Sequence, residues 1–454
     1  MQRPQATRIE HNSLLYWATI LYVVGVPNFI HFDTTGRTAE PVNLTSILTI
    51  VQTFCTGYLL IVISLLDRRP FGSRRNSYSP SLWIAMLLVF SLTSVLQPNS
   101  RSARSTDLFL SFFFLSQWLI AFLIIAALYS RTPSAQANAL IVRSIGIVSW
   151  IWLGLVWIVL PFMPTQVYGA SDESARAVRQ LGGQLIHPGK LATLAGIGFF
   201  YALLFGSRGL VRWVVCVGAL ITMALTSART AEIGFIFALL LYALFMSRKA
   251  IVRWGAIVFL LFTCVIGMTF NRTLERYVAR GQSTKSLTSF DDRTRIWTTC
   301  WNLVKLRPIL GYGYTVGARN AIRENWKYSH WIPPHAHNEF IEAAVDGGAV
   351  GLILVAWVYL CMSRKLFQNA SSSRSHLFFL LVYLQLCVSA ISGPILTYRY
   401  QTLGGIFVLC FIGTFGTAKN TSTESASRLA PLEGGSVGNK SDVRCVSSSA
   451  RRVS

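Results

Sequence analysis

Acid is scarce in this chain. Its 454 residues hold 18 Asp and Glu against 41 Lys and Arg, and charged residues of both signs make up only 13%, about half the share usual in a soluble domain. That shortage argues against an ordinary water-solvated globule. Cysteine is sparse too. Of eight cysteines, seven (Cys55, Cys216, Cys264, Cys300, Cys361, Cys387 and Cys410) lie within or between apolar runs, and none of these sits in a CxxC pair. This leaves no disulfide framework and no zinc-ribbon signal. There is no repeat at a fixed period, and no DxD carboxylate pair to hold a metal-bound nucleotide sugar, which speaks against a cytoplasmic sugar-nucleotide enzyme. The formal net charge of +23 is spread over many loops and falls in no recognisable nucleic-acid module, so nucleic acid is set aside as a partner.

What the chain has instead is apolar length. It is 52% hydrophobic, with a mean hydropathy of +0.48. Runs long enough for a helix to cross a bilayer recur near 14–32, 44–66, 81–97, 108–129, 139–161, 190–205, 210–226, 231–247, 254–270, 349–362, 376–392 and 402–416. The expected fold is an all-α integral membrane protein of about twelve transmembrane helices. Arg3 and Arg8 precede the first run, which is long, aromatic and without a small-residue cleavage site, so it reads as a retained helix.

Cations set the expected orientation, because short loops rich in Lys and Arg stay cytoplasmic. Arg68, Arg69, Arg74 and Arg75, then Arg131, Arg208 and Arg212, then Arg248, Lys249 and Arg253, then Arg364, Lys365 and Arg374 fall in loops that are mutually in phase. Both termini are then cytoplasmic, a small loop at 162–189 lies outside, and so does a large loop at 271–348 between the ninth and tenth helices. Residues 1–416 read as one polytopic domain. The basic Ser-rich stretch 417–454 lacks the apolar surface to fold and reads as a disordered cytoplasmic tail.

The large outer loop is basic although topology does not require it. A cationic surface above the outer leaflet suits an anionic ligand such as a lipid phosphate or pyrophosphate; the plainer alternative is a solvated loop. Three places stand out. Arg229, in Thr226-Ser227-Ala228-Arg229-Thr230-Ala231-Glu232, falls at a helix start, where free N–H groups and a guanidinium together suit an oxyanion; anchoring the helix at the interface or pairing with Glu232 is the alternative. Arg293 and Arg295, in Asp291-Asp292-Arg293-Thr294-Arg295-Ile296-Trp297, form a second cluster that either binds phosphate or pairs with the two aspartates. The third is His335-Ala336-His337-Asn338-Glu339-Phe340-Ile341-Glu342, running into Asp346-Gly347-Gly348-Ala349-Val350-Gly351.

In that third stretch Asn338 is a good N-cap and 339–345 has helical composition with acids in its first turn. His337 then sits beside a helix N-terminus, whose positive end favours a neutral ring able to accept a proton. A general base is the natural role, and a structural histidine after Pro333-Pro334 the alternative. A zinc set of His330, His335, His337 and Glu339 is the metal reading. Gly311-Tyr312-Gly313-Tyr314 reads as a turn whose tyrosines either stack on sugar rings or pack at the membrane surface. Gly347 and Gly351 are expected at the head of the tenth helix, as small residues that let helices approach closely.

A Ser-x-Arg-Thr helix start, an Arg-Thr-x-Ile-Trp segment, a Gly-x-Gly turn and a His-Asn-x-Phe-Ile-Glu…Asp-x-Gly-x-x-Gly re-entry together resemble the O-antigen ligase and polymerase family over about residues 195–365. The last motif is the most specific. The resemblance implies a metal-independent, cofactor-free glycosyltransferase at the periplasmic face of a bacterial inner membrane. It implies a glycan donor carried on undecaprenyl pyrophosphate and, as acceptor, a lipid A core sugar or a growing polysaccharide. Carried over by motif, His337 is the catalytic base and Arg229 and Arg293 bind pyrophosphate, with Arg295, His335 and Glu342 added as substrate-binding residues. Asp346 stands where the family more often has Glu, and its role stays open. Direct displacement would invert the anomeric centre. A lipid-linked oligosaccharide transporter or an export-complex scaffold are the non-enzymatic alternatives.

Overall fold

The computed structural model describes residues 16–24, 50–58, 81–95, 105–131, 134–170, 179–183, 185–207, 209–246, 250–251, 253–255, 258, 293–328, 332–397 and 401–415. Among these the chain is mostly helical. Helical segments at 16–24 (α1) and 50–58 (α2) are followed by α3 Ser81–Val95, α4 Ser105–Arg131, α5 Ser134–Val159 and α6 Pro164–Val167. After these come α7 Pro188–Phe205, α8 Leu210–Thr226 and α9 Arg229–Leu241, the last running into a π turn at Tyr242–Met246. The C-terminal part holds α10 Arg293–Leu306, α11 Val316–Asn325, α12 Glu339–Asn369, α13 Arg374–Ser392 and α14 Thr402–Phe415.

Among the described residues four helices are long and apolar enough to cross a membrane: Gln136–Val159, Pro188–Phe205, Glu339–Asn369 and Arg374–Ser392. Shorter apolar helices occupy Ser111–Ile124, Leu210–Thr226 and Thr402–Phe415. All of the run expected at 254–270 but residues 254, 255 and 258, the loop cations Arg68 to Arg75, Arg208, Arg248 and Lys249, the basic stretch 271–292, His330 and the 417–454 tail lie outside the described residues. The mostly helical structure is consistent with the expected all-α fold, to which the small loop at 162–189 adds one short two-stranded ribbon. There Tyr168–Ala170 (β1) pairs antiparallel with Arg179–Leu181 (β2), Tyr168 opposite Leu181.

The local chemistry explains where helices begin and end. Pro188 occupies the first turn of α7, where its missing N–H costs nothing, and the His187 ring accepts from Gly189 N–H at 3.1 Å. Ser373 caps α13 by accepting from His376 N–H at 3.2 Å, and Gly393 ends that helix. Lipid tails are as apolar as leucine, so close packing and interhelical hydrogen bonds hold such helices together. Gly234 of α9 lets that helix lie against Val388 and the Gln385 carbonyl of α13, where an added Cβ would come within 3.1 and 3.2 Å. Gln385 Nε2 donates to the Thr193 carbonyl of α7 at 3.1 Å, and Thr193 Oγ1 meets Ser389 Oγ at 3.1 Å.

These contacts set the levels of the helices. Thr193 and Gly234 are each the sixth residue of their helix, and both meet the last two turns of α13. The N-terminal ends of α7 and α9 therefore gather with the C-terminal end of α13 at one end of the bundle. Asn338 Nδ2, at the start of α12, donates to the Ile391 carbonyl of α13 at 3.3 Å, which brings the His335–His337 loop to the same end.

Candidate active site

Helix α12 organises this end of the molecule, and it is interrupted. Gly348 has φ 61° and ψ −152°, far from helical. A break there leaves the carbonyls of Val345 and Asp346, and the N–H groups of Ala349 and Val350, without their partners four residues away. The segment after α10 supplies all four bonds. Tyr312 and Gly313 N–H donate to the Val345 and Asp346 carbonyls at 2.8 Å each, while Ala349 and Val350 N–H donate to the Pro308 and Ile309 carbonyls at 2.7 and 3.4 Å. A Cβ at Gly348 would collide with the Ile309 carbonyl, and one at Gly311 with the Val345 carbonyl. The tenth helix thus starts a full ten residues before its apolar run, and Gly348 lies at its break, not at its head. Gly347 and Gly351 act as their spacing suggests: both face the Phe90 ring of α3, where a Cβ would come within 3.2 and 3.3 Å.

The half of α12 before the break, 339–347, is buried in protein. Glu339, Glu342 and Asp346, spaced three and four apart and so on one face, are each 0% exposed. Glu339 accepts backbone N–H groups from Ile395, Leu396 and Thr397, tying down the turn after α13. Glu342 Oε2 accepts from Ala336 N–H at 2.5 Å, and Asp346 Oδ1 from Thr315 N–H at 3.0 Å. With its oxygens committed to three amides, Glu339 is not placed as a ligand beside the histidines. Among the described residues no group of three His, Cys, Asp or Glu is arranged to hold a metal ion.

His335 and His337 flank Ala336, which is gripped from both sides. Its N–H goes to Glu342, and its carbonyl accepts Trp297 Nε1–H from α10 at 3.1 Å. The two half-buried rings lie with centroids 4.1 Å apart. His337 takes a left-handed backbone, φ 51°, uncommon for a residue with a side chain. Its N–H donates to His335 Nδ1 at 3.1 Å. With Nδ1 accepting, neutral His335 carries its proton on Nε2 and can donate from there. Asn338 caps α12 as its sequence suggests, accepting from Phe340 and Ile341 N–H at 3.0 and 3.1 Å.

The cations are distributed over three helix starts and faces. Arg229, half-buried, is the first residue of α9, entered from Ser227, which is also left-handed at φ 57°. Arg293, half-buried, is the first residue of α10, one turn before the Trp297 that holds Ala336. Arg295 is exposed, with its guanidinium 5.5 Å from the Tyr328 ring centre. Asp291 and Asp292, the expected partners, lie outside the described residues. The structure therefore brings His335, His337 and the start of α10 together through Ala336, and sets Arg229 at the same end of the bundle. Glu342 has no surface of its own; it touches the loop that carries the histidines.

Tyr314 corrects another expectation. It is 1% exposed and serves as a tie in the interior, not a platform for sugar. Its hydroxyl accepts from Trp118 Nε1 at 2.7 Å and donates to the Leu396 carbonyl at 3.3 Å, and its N–H donates to Ser94 Oγ at 3.1 Å. Burial, then the charge of Asp346, push its phenol well above the ordinary value, so it remains a donor. Burial also pushes the Cys300 thiol up, with Glu342 and Asp346 adding to the effect; that is the opposite of an activated cysteine nucleophile. Sequence reasoning had no signal for Ala336 or Thr315, whose parts lie in their backbone groups. Trp297 stood in a recognised motif without a role.

Comparison with known proteins covers this same region. Residues 214–356, from α8 to just past the break in α12, match the family model described as O-antigen ligase. A Rickettsia felis protein named "Putative polysaccharide ligase" is 32% identical over 89 residues, a stretch that covers 18% of this chain and 21% of that protein. The segment that builds the site thus matches the O-antigen ligase family, and it is to that family that the chain is similar.

Proposed function

We propose that this protein is a membrane-embedded glycosyltransferase of the O-antigen ligase type. In this reading it moves a glycan from an undecaprenyl-pyrophosphate carrier to an acceptor hydroxyl at the periplasmic face of a bacterial inner membrane. The observation that carries the reading is the grip on Ala336. It presents two histidines at the end of an apolar bundle where Arg229 lies, on a loop held by Trp297, which is one turn along α10 from Arg293, inside the segment that matches the family. The twelve-helix topology with cytoplasmic termini, and an outer loop at 271–348, belong to the same proposal.

In the reaction His337 takes the proton from the acceptor hydroxyl as its oxygen attacks the anomeric carbon. The bond from that carbon to the pyrophosphate oxygen breaks, with inversion, and the guanidinium groups of Arg229 and Arg293 stabilise the charge that develops on the leaving group. His335, through Nε2–H, and the exposed Arg295 orient the donor. Glu342, expected to bind substrate, in this reading only holds the loop that carries the histidines. The leaving group is already good, so no second carboxyl acid is required, and no metal or cofactor is assigned a step.

Purified protein incubated with an undecaprenyl-pyrophosphate oligosaccharide, with and without a lipid A core acceptor, tests this by glycan size on a gel. Transfer onto the core identifies a ligase. Lengthening on the carrier without the core identifies a polymerase of the same family. Movement of the donor across vesicles with no glycosidic bond formed defeats the enzymatic reading. His337→Ala is expected to abolish transfer while the protein remains folded; turnover near wild type would remove His337 from the mechanism.

A further inference from the structure

Two of the three buried acids on α12 have no direct route to a substrate. Glu342 and Asp346 are 0% exposed and stand one helical turn apart. Each spends one oxygen on a single backbone N–H from a loop: Ala336, just ahead of α12, for Glu342, and Thr315, 31 residues earlier, for Asp346. Both loops carry a left-handed residue with a side chain at that point. Thr315 itself has φ 55°, and His337, directly after Ala336, has φ 51°. Such conformations persist only when their surroundings over-determine them. The surroundings here are these two carboxylates, with Trp297 Nε1 on the opposite side of Ala336.

The two loops are also joined through the helix. The chain 308–313 replaces the hydrogen bonds lost at Gly348, so the turn that ends at Thr315 is built into the same stretch of α12 that holds the histidine loop. Asp346 takes part twice, by its carbonyl to Gly313 N–H and by its side chain to Thr315 N–H.

We infer that Glu342 and Asp346 are positioning residues for the histidine loop: their carboxylates act as fixed hydrogen-bond acceptors that hold His337, and the 311–315 turn beside it, in the reactive backbone conformation. This rests on the reading of His337 as the base. What the reaction requires of Glu342 is an acceptor at the right reach, not a charge near substrate, and the same holds for Asp346.

Conservative variants separate reach from charge. Glu342→Gln keeps an acceptor oxygen at the same distance and removes the charge; Glu342→Asp keeps the charge and is one methylene too short for Ala336 N–H. In the full-length protein the Gln variant is expected to turn over within about threefold of wild type. The Asp variant should lose roughly 100-fold in kcat, the scale of a 1 Å misplacement, with KM for the carrier-linked donor within about twofold. Hydrogen exchange of the 335–338 amides should stay slow in the Gln variant and speed up in the Asp variant. Asp346→Asn should likewise retain activity.

The reverse pattern, an active Asp variant and an inactive Gln variant, overturns the inference, as does wild-type turnover in both. Loss of activity in both, with slow exchange kept in the Gln variant, overturns it too, because charge would then be the requirement. If the Asp variant does not fold, the Gln variant decides alone. A fully active His337→Ala would sink the base assignment itself, while the exchange rates would still report whether the clamp exists.

Discussion

At the residue scale, the groups assigned to the proposed chemistry are themselves held by buried polar contacts. Tyr314 is the clearest case. Its hydroxyl joins α4 through Trp118 to the turn after α13 through Leu396, with no access to water. Tyr314→Phe preserves the shape and leaves Trp118 Nε1–H without its acceptor. A buried donor stripped of its partner costs about 1–3 kcal/mol, so this variant should unfold several degrees earlier in a detergent-solubilised thermal melt. An unchanged melting point would mean that the Trp118–Tyr314 bond contributes nothing. Ala336 carries no functional group at all, yet its N–H and carbonyl place both histidines. Its importance is invisible in the side-chain alphabet.

At the element scale, the break in α12 is the main structural device. An uninterrupted helix from 339 to 369 would pair its own amides and have nothing to offer the 308–313 segment. The left-handed Gly348 gives up the two intrahelical bonds that Val345 and Asp346 would make with Ala349 and Val350, and those four groups make four bonds to that segment instead. Gly348→Ala is therefore a sharp test. Its φ of 61° strains any side chain, and the added methyl meets the Ile309 carbonyl. A left-handed non-glycine residue alone costs about 1–3 kcal/mol, so with the collision the loss should exceed that of Gly218→Ala, a helical site with open space around it. Chemical denaturation of the two variants side by side measures the difference. Equal stability would mean that the 308–313 segment is not held by the break. Transfer should fall with Gly348→Ala as well, because the histidine loop is seated on the same half of α12.

At the scale of the whole molecule, apolar helices gather three helix starts, α7, α9 and α12, at one end, and α10 joins them through Trp297. Each start turns the positive end of a helix dipole toward that end, which would favour the anionic donor proposed above. Of the four candidate zinc ligands, Glu339 has its carboxylate taken by three backbone amides. Exhaustive EDTA treatment of the purified protein should leave the rate of the proposed glycan transfer unchanged. A loss restored by Zn²⁺ would return the histidines to the metal reading.

How much of this was legible in advance divides along the range of the interactions involved. The apolar runs, the Asn338 cap, the helix starts at Arg229 and Arg293 and the close approach allowed by Gly347 and Gly351 all follow from residues within a turn or two of one another. For such features local hydropathy, capping and side-chain size are sufficient. The β1–β2 ribbon, the burial of Tyr314 and Glu342, the break at Gly348 and the double grip on Ala336 depend on bonds between groups 6 to 220 residues apart, the longest being that of Ser94 with the Tyr314 N–H. Sequence determined which side chains are available and that most of them must avoid water. Only the tertiary structure decided which carboxylates are buried as acceptors and which histidines they hold, because those choices are made by backbone N–H and carbonyl groups that every residue but proline carries alike.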